Sequence, residues 1–110
     1  MLYEVIWAPN AIRDLDDILD YVERGDDDAE RLYLKIVPRI NSLSRFPRRA
    51  PLVSELRQVG VREYRELVVP YRILFRISGQ TVAIIGVLDG RRDSSELILK
   101  RALDPLPFDL

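Results

Sequence analysis

Arginine is the residue type in this sequence best placed to do chemistry. Between positions 45 and 93 every basic residue is an arginine (Arg45, Arg48, Arg49, Arg57, Arg62, Arg65, Arg72, Arg76, Arg91 and Arg92), set against Glu55, Glu63, Glu66, Asp89 and Asp93. That block carries ten bases and five acids, a net +5, whereas Met1 to Ser44 holds ten acids and five bases, a net −5. The formal charge of −1 for the whole chain therefore hides a division along it. A planar guanidinium suits bidentate recognition of carboxylate or phosphate better than diffuse attraction. The first expectation is an arginine-bearing surface in the C-terminal half that grips something acidic. The competing reading for any single arginine is a local ion pair on a solvated sheet face.

The chain has no cysteine and no histidine. Disulfides, thiolate or imidazole metal ligands, and Ser/His or Cys/His nucleophile arrangements are thereby excluded. Acid–base chemistry would fall to Asp, Glu, Lys, Arg or Tyr, whose unperturbed pKa values lie far from neutrality. No cofactor or metal is expected, and a self-sufficient enzyme is disfavoured. A length of 110 residues with 47% hydrophobic and 32% charged content fits one folded domain over 1–110 rather than a disordered chain. The N-terminus Met1-Leu2-Tyr3-Glu4 lacks a basic leader, and no apolar run approaches the ~20 residues of a membrane span, so a cytoplasmic location is expected.

The elements that must position the arginines follow from periodicity. Leu2 to Trp7 reads as a first strand, with Tyr3, Val5 and Trp7 on one face. Pro9 suits the first turn of a helix carrying Ile12, Leu15, Ile18, Leu19 and Val22, which should end at Arg24-Gly25 with glycine in a left-handed cap. Asp27 and Glu30 have the spacing of a capping box for a second amphipathic helix through Leu32, Ile36, Ile40 and Leu43, which Pro38 should kink or weaken. The Pro- and Arg-rich stretch from Phe46 to about Gly60 reads as a long loop. Val61–Val69 and Tyr71–Ile77 read as strands, the second with Ile73 and Phe75 facing the core and Arg72 and Arg76 facing away. Ser78-Gly79-Gln80 turns into a strand at Thr81–Leu88 that is apolar on both faces. Asp93 and Glu96 then have the spacing to cap a short helix, Ser94–Leu103.

The expected architecture is α+β: an N-terminal strand, an αα hairpin, a three-stranded antiparallel meander and a short C-terminal helix. The helical hairpin covers one sheet face and the other is left for the arginines or a partner.

The stretch Val61-Arg62-Glu63-Tyr64-Arg65-Glu66-Leu67-Val68-Val69-Pro70-Tyr71-Arg72-Ile73-Leu74-Phe75-Arg76-Ile77, followed by Val87-Leu88-Asp89-Gly90-Arg91-Arg92-Asp93, resembles the C-terminal signature of RelE/ParE-superfamily toxins. Trp7-Ala8-Pro9-Asn10-Ala11 and Asp14 to Val22 resemble the first strand and helix of the same superfamily. The hairpin length, and the Asp-Gly-Arg-Arg-Asp ending without a following tyrosine, are closer to its ParE branch. Departures are Ala8 where Ser or Thr is frequent, Asp89 where histidine is common, and Phe75 where tyrosine is.

The resemblance implies the toxin of a bacterial type II toxin–antitoxin pair, neutralised by the C-terminal segment of a cognate, ParD-like antitoxin. In the ParE reading the chain is a binding module without a catalytic residue. It inhibits DNA gyrase, and Arg65, Arg72, Arg76, Asp89, Arg91, Arg92 and Asp93 are the target-binding candidates. In the alternative RelE reading it is a ribosome-dependent endoribonuclease in which Arg65, Arg72 and Arg91 hold the scissile phosphate and Tyr64 or Tyr71 assists proton transfer. Core packing is the competing role for both tyrosines. Duplex DNA is not expected as a direct partner, because no basic recognition helix is evident.

Overall fold

The structure, a computed structural model, describes residues 2–25, 27–90, 94–104 and 106. The elements run β1 (Glu4–Trp7), α1 (Pro9–Arg24), α2 (Ala29–Asn41), 3-10 turns at Ser42–Ser44 and Pro47–Arg49, α3 (Ser54–Arg57), β2 (Tyr64–Val68), β3 (Arg72–Ser78), β4 (Thr81–Leu88) and α4 (Ser95–Leu103). The α+β order expected from periodicity is the order observed.

The four strands form one sheet in the order β1-β4-β3-β2. The meander of β2, β3 and β4 is antiparallel, while β1 adds to β4 in parallel, Val5 opposite Val82 and Trp7 opposite Ile84. The β3–β4 turn is tight because Gly79 takes φ +57°, a conformation that a Cβ would oppose. β4 lies between β1 and β3, which explains why every residue from Val82 to Leu88 is buried. A bulge interrupts the β3–β4 register: Leu74 faces Gly86, but Phe75 faces Ile84, so Ile85 is the extra residue.

Two apolar clusters sit on the two sides of this sheet. Ala11 of α1 and Ile36 and Ile40 of α2 pack on Ile73, Phe75, Val82, Ile84 and Val87. On the other side Val53, Leu56 of α3 and Ile98 of α4 pack on Tyr64, Leu74, Ile85 and Leu88. Each fully buried Ile, Leu or Phe contributes about 1.5–3 kcal/mol of transfer free energy, so neither cluster is incidental. The second cluster corrects the expectation of an open outer sheet face: α3 and α4 cover it. It also corrects the expected long loop, since Val53 and Leu56 are inserted into the core and Val53 N–H donates to the Tyr64 carbonyl.

Both helix caps differ from the expectation. Gly25 ends α1 with φ −87°, so its cap is not left-handed, and its N–H reaches the carbonyls of Tyr21 and Val22 directly. The cap of α2 is Asp28, one residue later than expected, its Oδ1 accepting from Arg31 N–H at 3.0 Å. Pro38 occupies the last turn of α2, which ends three residues later in a 3-10 turn. Asp93 lies outside the described residues, and α4 follows Ser94.

Candidate functional site

The turn between β2 and β3 and the end of β4 bring several of the sequence candidates together. Arg72 opens β3 opposite Leu88, the last residue of β4, so the chain leaving β4 through Asp89 and Gly90 passes directly over it. A Cβ on Gly90 would sit 3.3 Å from Arg72 Cγ and 3.4 Å from the Pro70 carbonyl oxygen, so this close passage favours glycine. Tyr71 and Asp89 line the same cleft, about 280 Å³, together with Pro70 and Leu32 of α2. Arg91, Arg92 and Asp93, the next candidates along the chain, lie outside the described residues.

Arg72 is held rather than free. Its Nη1 and Nη2 donate to the two Glu55 carboxylate oxygens at 2.6 and 2.8 Å, while Nε and Nη2 both reach Glu66 Oε2. Glu55 comes from α3 and Glu66 from β2, so one guanidinium ties the short helix to the sheet. The Arg72 side chain retains 14% of its exposure and those of Glu55 and Glu66 24% and 17%. The hydrogen bonds from Arg72 hold the Glu55 carboxyl down to about 2, against a smaller opposing effect of burial. The same bonds, Glu55 first, raise the Arg72 pKa.

The remaining candidates are dispersed. Arg65 Nη1 donates to the carbonyls of Arg48 and Ala50, on the face of the sheet that carries the helical hairpin. Arg76 pairs opposite Tyr64 and Ala83, four residues along β3 from Arg72 and therefore ~13 Å away. Arg76 is half-buried and makes no ion pair or side-chain hydrogen bond among the described residues. Arg65 thus faces away from Arg72 and Arg76: the arginines do not form one cluster. Tyr64 is buried and its hydroxyl donates to the Ala102 carbonyl at 3.0 Å. Tyr71 is half-buried against the hairpin-side core.

A second charged constellation goes beyond the sequence expectations. Arg101 of α4 donates from Nη2 to Asp14 Oδ1 at 2.6 Å and from Nη1 to Asp14 Oδ2 and the Ile85 carbonyl, both at 2.8 Å. Asp14 Oδ2 also accepts from Val87 N–H at 2.9 Å. The signal lies in the helix periods: Asp14 falls on the inward stripe of Ala11, Leu15 and Ile18, and Arg101 falls three residues after Ile98. Opposite charges on two inward stripes are natural partners for each other. Hydrogen bonding to Asp14 raises the Arg101 pKa. Arg101 also borders a shallow cleft of about 230 Å³ with Ala8, Pro9, Asn10 and Asp104.

Among the described residues no group of Asp and Glu is arranged to hold a metal ion, and no helix is long and apolar enough to cross a membrane. A chromosomal ParDE toxin–antitoxin system from P. aeruginosa contains a chain of the same fold: TM-score 0.65 and 22% sequence identity over 80% of this chain and 96% of that one. No curated protein sequence matches. The family model for the ParE toxin of the type II toxin–antitoxin system parDE matches residues 5–94. The chain therefore belongs to the ParE toxin family of type II toxin–antitoxin systems.

Proposed function

We propose that this toxin acts in the cytoplasm by binding and inhibiting DNA gyrase, and that a cognate ParD-like antitoxin neutralises it through a C-terminal segment laid over the toxin. Family membership carries the reading. A binding module is favoured over a nuclease because the Tyr64 hydroxyl is committed to a backbone carbonyl inside the core, out of reach of a substrate proton.

Bonding partners separate the arginine candidates. Arg72 and Arg65 shape the sheet through partners of their own, Glu55 and Glu66 for one and backbone carbonyls for the other. Arg76 is the candidate with an uncommitted guanidinium among the described residues. In this proposal Arg76, Asp89 and the following Arg91, Arg92 and Asp93 meet the target, and Arg72 ties α3 to the sheet where the chain leaves β4.

The test is induction of the chain in cells carrying a reporter plasmid, with and without its neighbouring antitoxin gene. Growth arrest with loss of plasmid supercoiling, rescued by the antitoxin, is expected. Growth arrest with intact supercoiling and cleaved mRNA would reject the gyrase reading.

A further inference from the structure

Residues 31–54 contain six basic side chains, Arg31, Lys35, Arg39, Arg45, Arg48 and Arg49, and no Asp or Glu. None of these six belongs to the candidate site above. All six are exposed, and none makes an ion pair or a side-chain hydrogen bond among the described residues. Arg31, Lys35 and Arg39 recur every four residues along α2, so they stand on one side of the helix at steps of ~6 Å. Arg45, Arg48 and Arg49 continue the series through the two 3-10 turns that follow α2.

The end of this rail is built at a conformational cost. Phe46 is the one non-glycine residue with positive φ among those described, at φ +53°, although it precedes a proline that disfavours helical conformations at this position. The conformation buries Pro47 completely and turns the Phe46 ring outward, 63% exposed, with Arg49 Cζ 4.1 Å from its centroid. An apolar ring gains nothing from exposure. Stacked under a guanidinium, it instead offers a planar cationic surface.

We propose that this rail binds the phosphodiester backbone of DNA. DNA presents about one negative charge per 1.7 Å of its axis, so exposed bases spaced along a helix find phosphates within reach whatever the sequence. Backbone contact needs no recognition helix inserted in a groove, which is why the lack of one does not argue against it. Asp28 and Glu30 border the same surface cleft as Arg31 and Lys35 at the start of α2, so the rail is most cationic toward Arg39, Arg45, Arg48 and Arg49. A run of bases with no interleaved acid between residues 31 and 54 matches a linear polyanion.

The inference stands apart from the gyrase reading, and either can fail alone. The test is fluorescence anisotropy of a labelled random-sequence duplex, and of a single strand of equal length, with the purified full chain. Binding at 50 mM salt is expected, weakened by about 10³-fold at 200 mM if six phosphate contacts form. R39A/R48A/R49A should lower the magnitude of the log–log salt slope by about 2.7, and the single charge reversal Arg48→Glu should weaken binding in the same direction. Both substitutions are at exposed positions, and circular dichroism checks that each variant is folded. Phe46→Ala should weaken the single strand more than the duplex, since only unpaired bases can stack on the ring. No binding at 50 mM salt, unchanged binding by folded variants, or equal affinity for labelled polyglutamate would overturn the proposal.

Discussion

Asp14 and Arg101 close an ion pair with two hydrogen bonds at the point where β4 outruns β1. The β1 ladder ends at Trp7 opposite Ile84, yet β4 continues to Leu88. Beyond that end, the Ile85 carbonyl and the Val87 N–H have no strand beside them on the β1 side. Arg101 supplies the missing donor and Asp14 the missing acceptor. Two side chains thus substitute for a strand and lock both helices to the bulge.

Breaking this pair should be costly. Asp14→Ala leaves a mostly buried guanidinium without its counter-charge, bonded to the Ile85 carbonyl alone, and the Val87 N–H without an acceptor, and a loss of about 3 kcal/mol is expected. Urea unfolding of Asp14→Ala, Arg101→Ala and the double variant should give a coupling energy above about 1.5 kcal/mol. Additive losses would show that the two residues act separately.

Gly86 is the space through which Arg101 reaches the bulge. A Cβ there would lie 3.1 Å from Arg101 Nη1, on a guanidinium fixed by three hydrogen bonds in all. Gly86→Ala should destabilise the native chain by about 1 kcal/mol and cost clearly less in an Arg101→Ala background. Equal losses in both backgrounds would place the clash elsewhere.

Glu55 makes stability depend on acid. Its folded pKa, about 2, lies below the ordinary 4.5, so its pairing with Arg72 stabilises fully above about pH 4.5 and fades as pH falls toward 2. The Arg72 side stays protonated throughout. Thermal melts between pH 7 and 2.5 should fall less steeply for Glu55→Gln than for the native chain. Arg72→Ala, which strands two carboxylates, should lower stability by about 2 kcal/mol at pH 7.

Tyr64→Phe removes one hydrogen bond inside the α4-side core and should cost about 1 kcal/mol. Toxicity on induction should persist, because the hydroxyl is bonded to Ala102 and not presented to a substrate. A folded Tyr64→Phe chain without toxicity would restore a chemical role to this tyrosine.

Much of this fold is legible because its helices and central strands are strongly periodic. Leu32, Ile36 and Ile40 announce α2 at four-residue spacing, and the two-sided apolar run Val82–Leu88 announces a strand flanked by neighbours. The covering of the outer face is not legible, since Val53 and Leu56 span less than one helical turn within a Pro- and Arg-rich stretch. The arginine surface is narrower than its composition suggests for a related reason. Strand alternation places Arg65 and Arg72 on opposite faces once the register is known, and composition alone cannot supply that register. The pairing of Arg72 with Glu55 depends on α3, a single helical turn too short to show a period of its own.

Inhibition of gyrase by a non-catalytic chain can be read out with purified components. The chain is added to gyrase with relaxed plasmid and ATP and, separately, to translating ribosomes. Supercoiling should fall in proportion to the toxin added, with reduced inhibition by Arg76→Ala and with full-length mRNA in the ribosome arm. Unimpaired supercoiling together with codon-dependent mRNA cuts would rule out gyrase as the target.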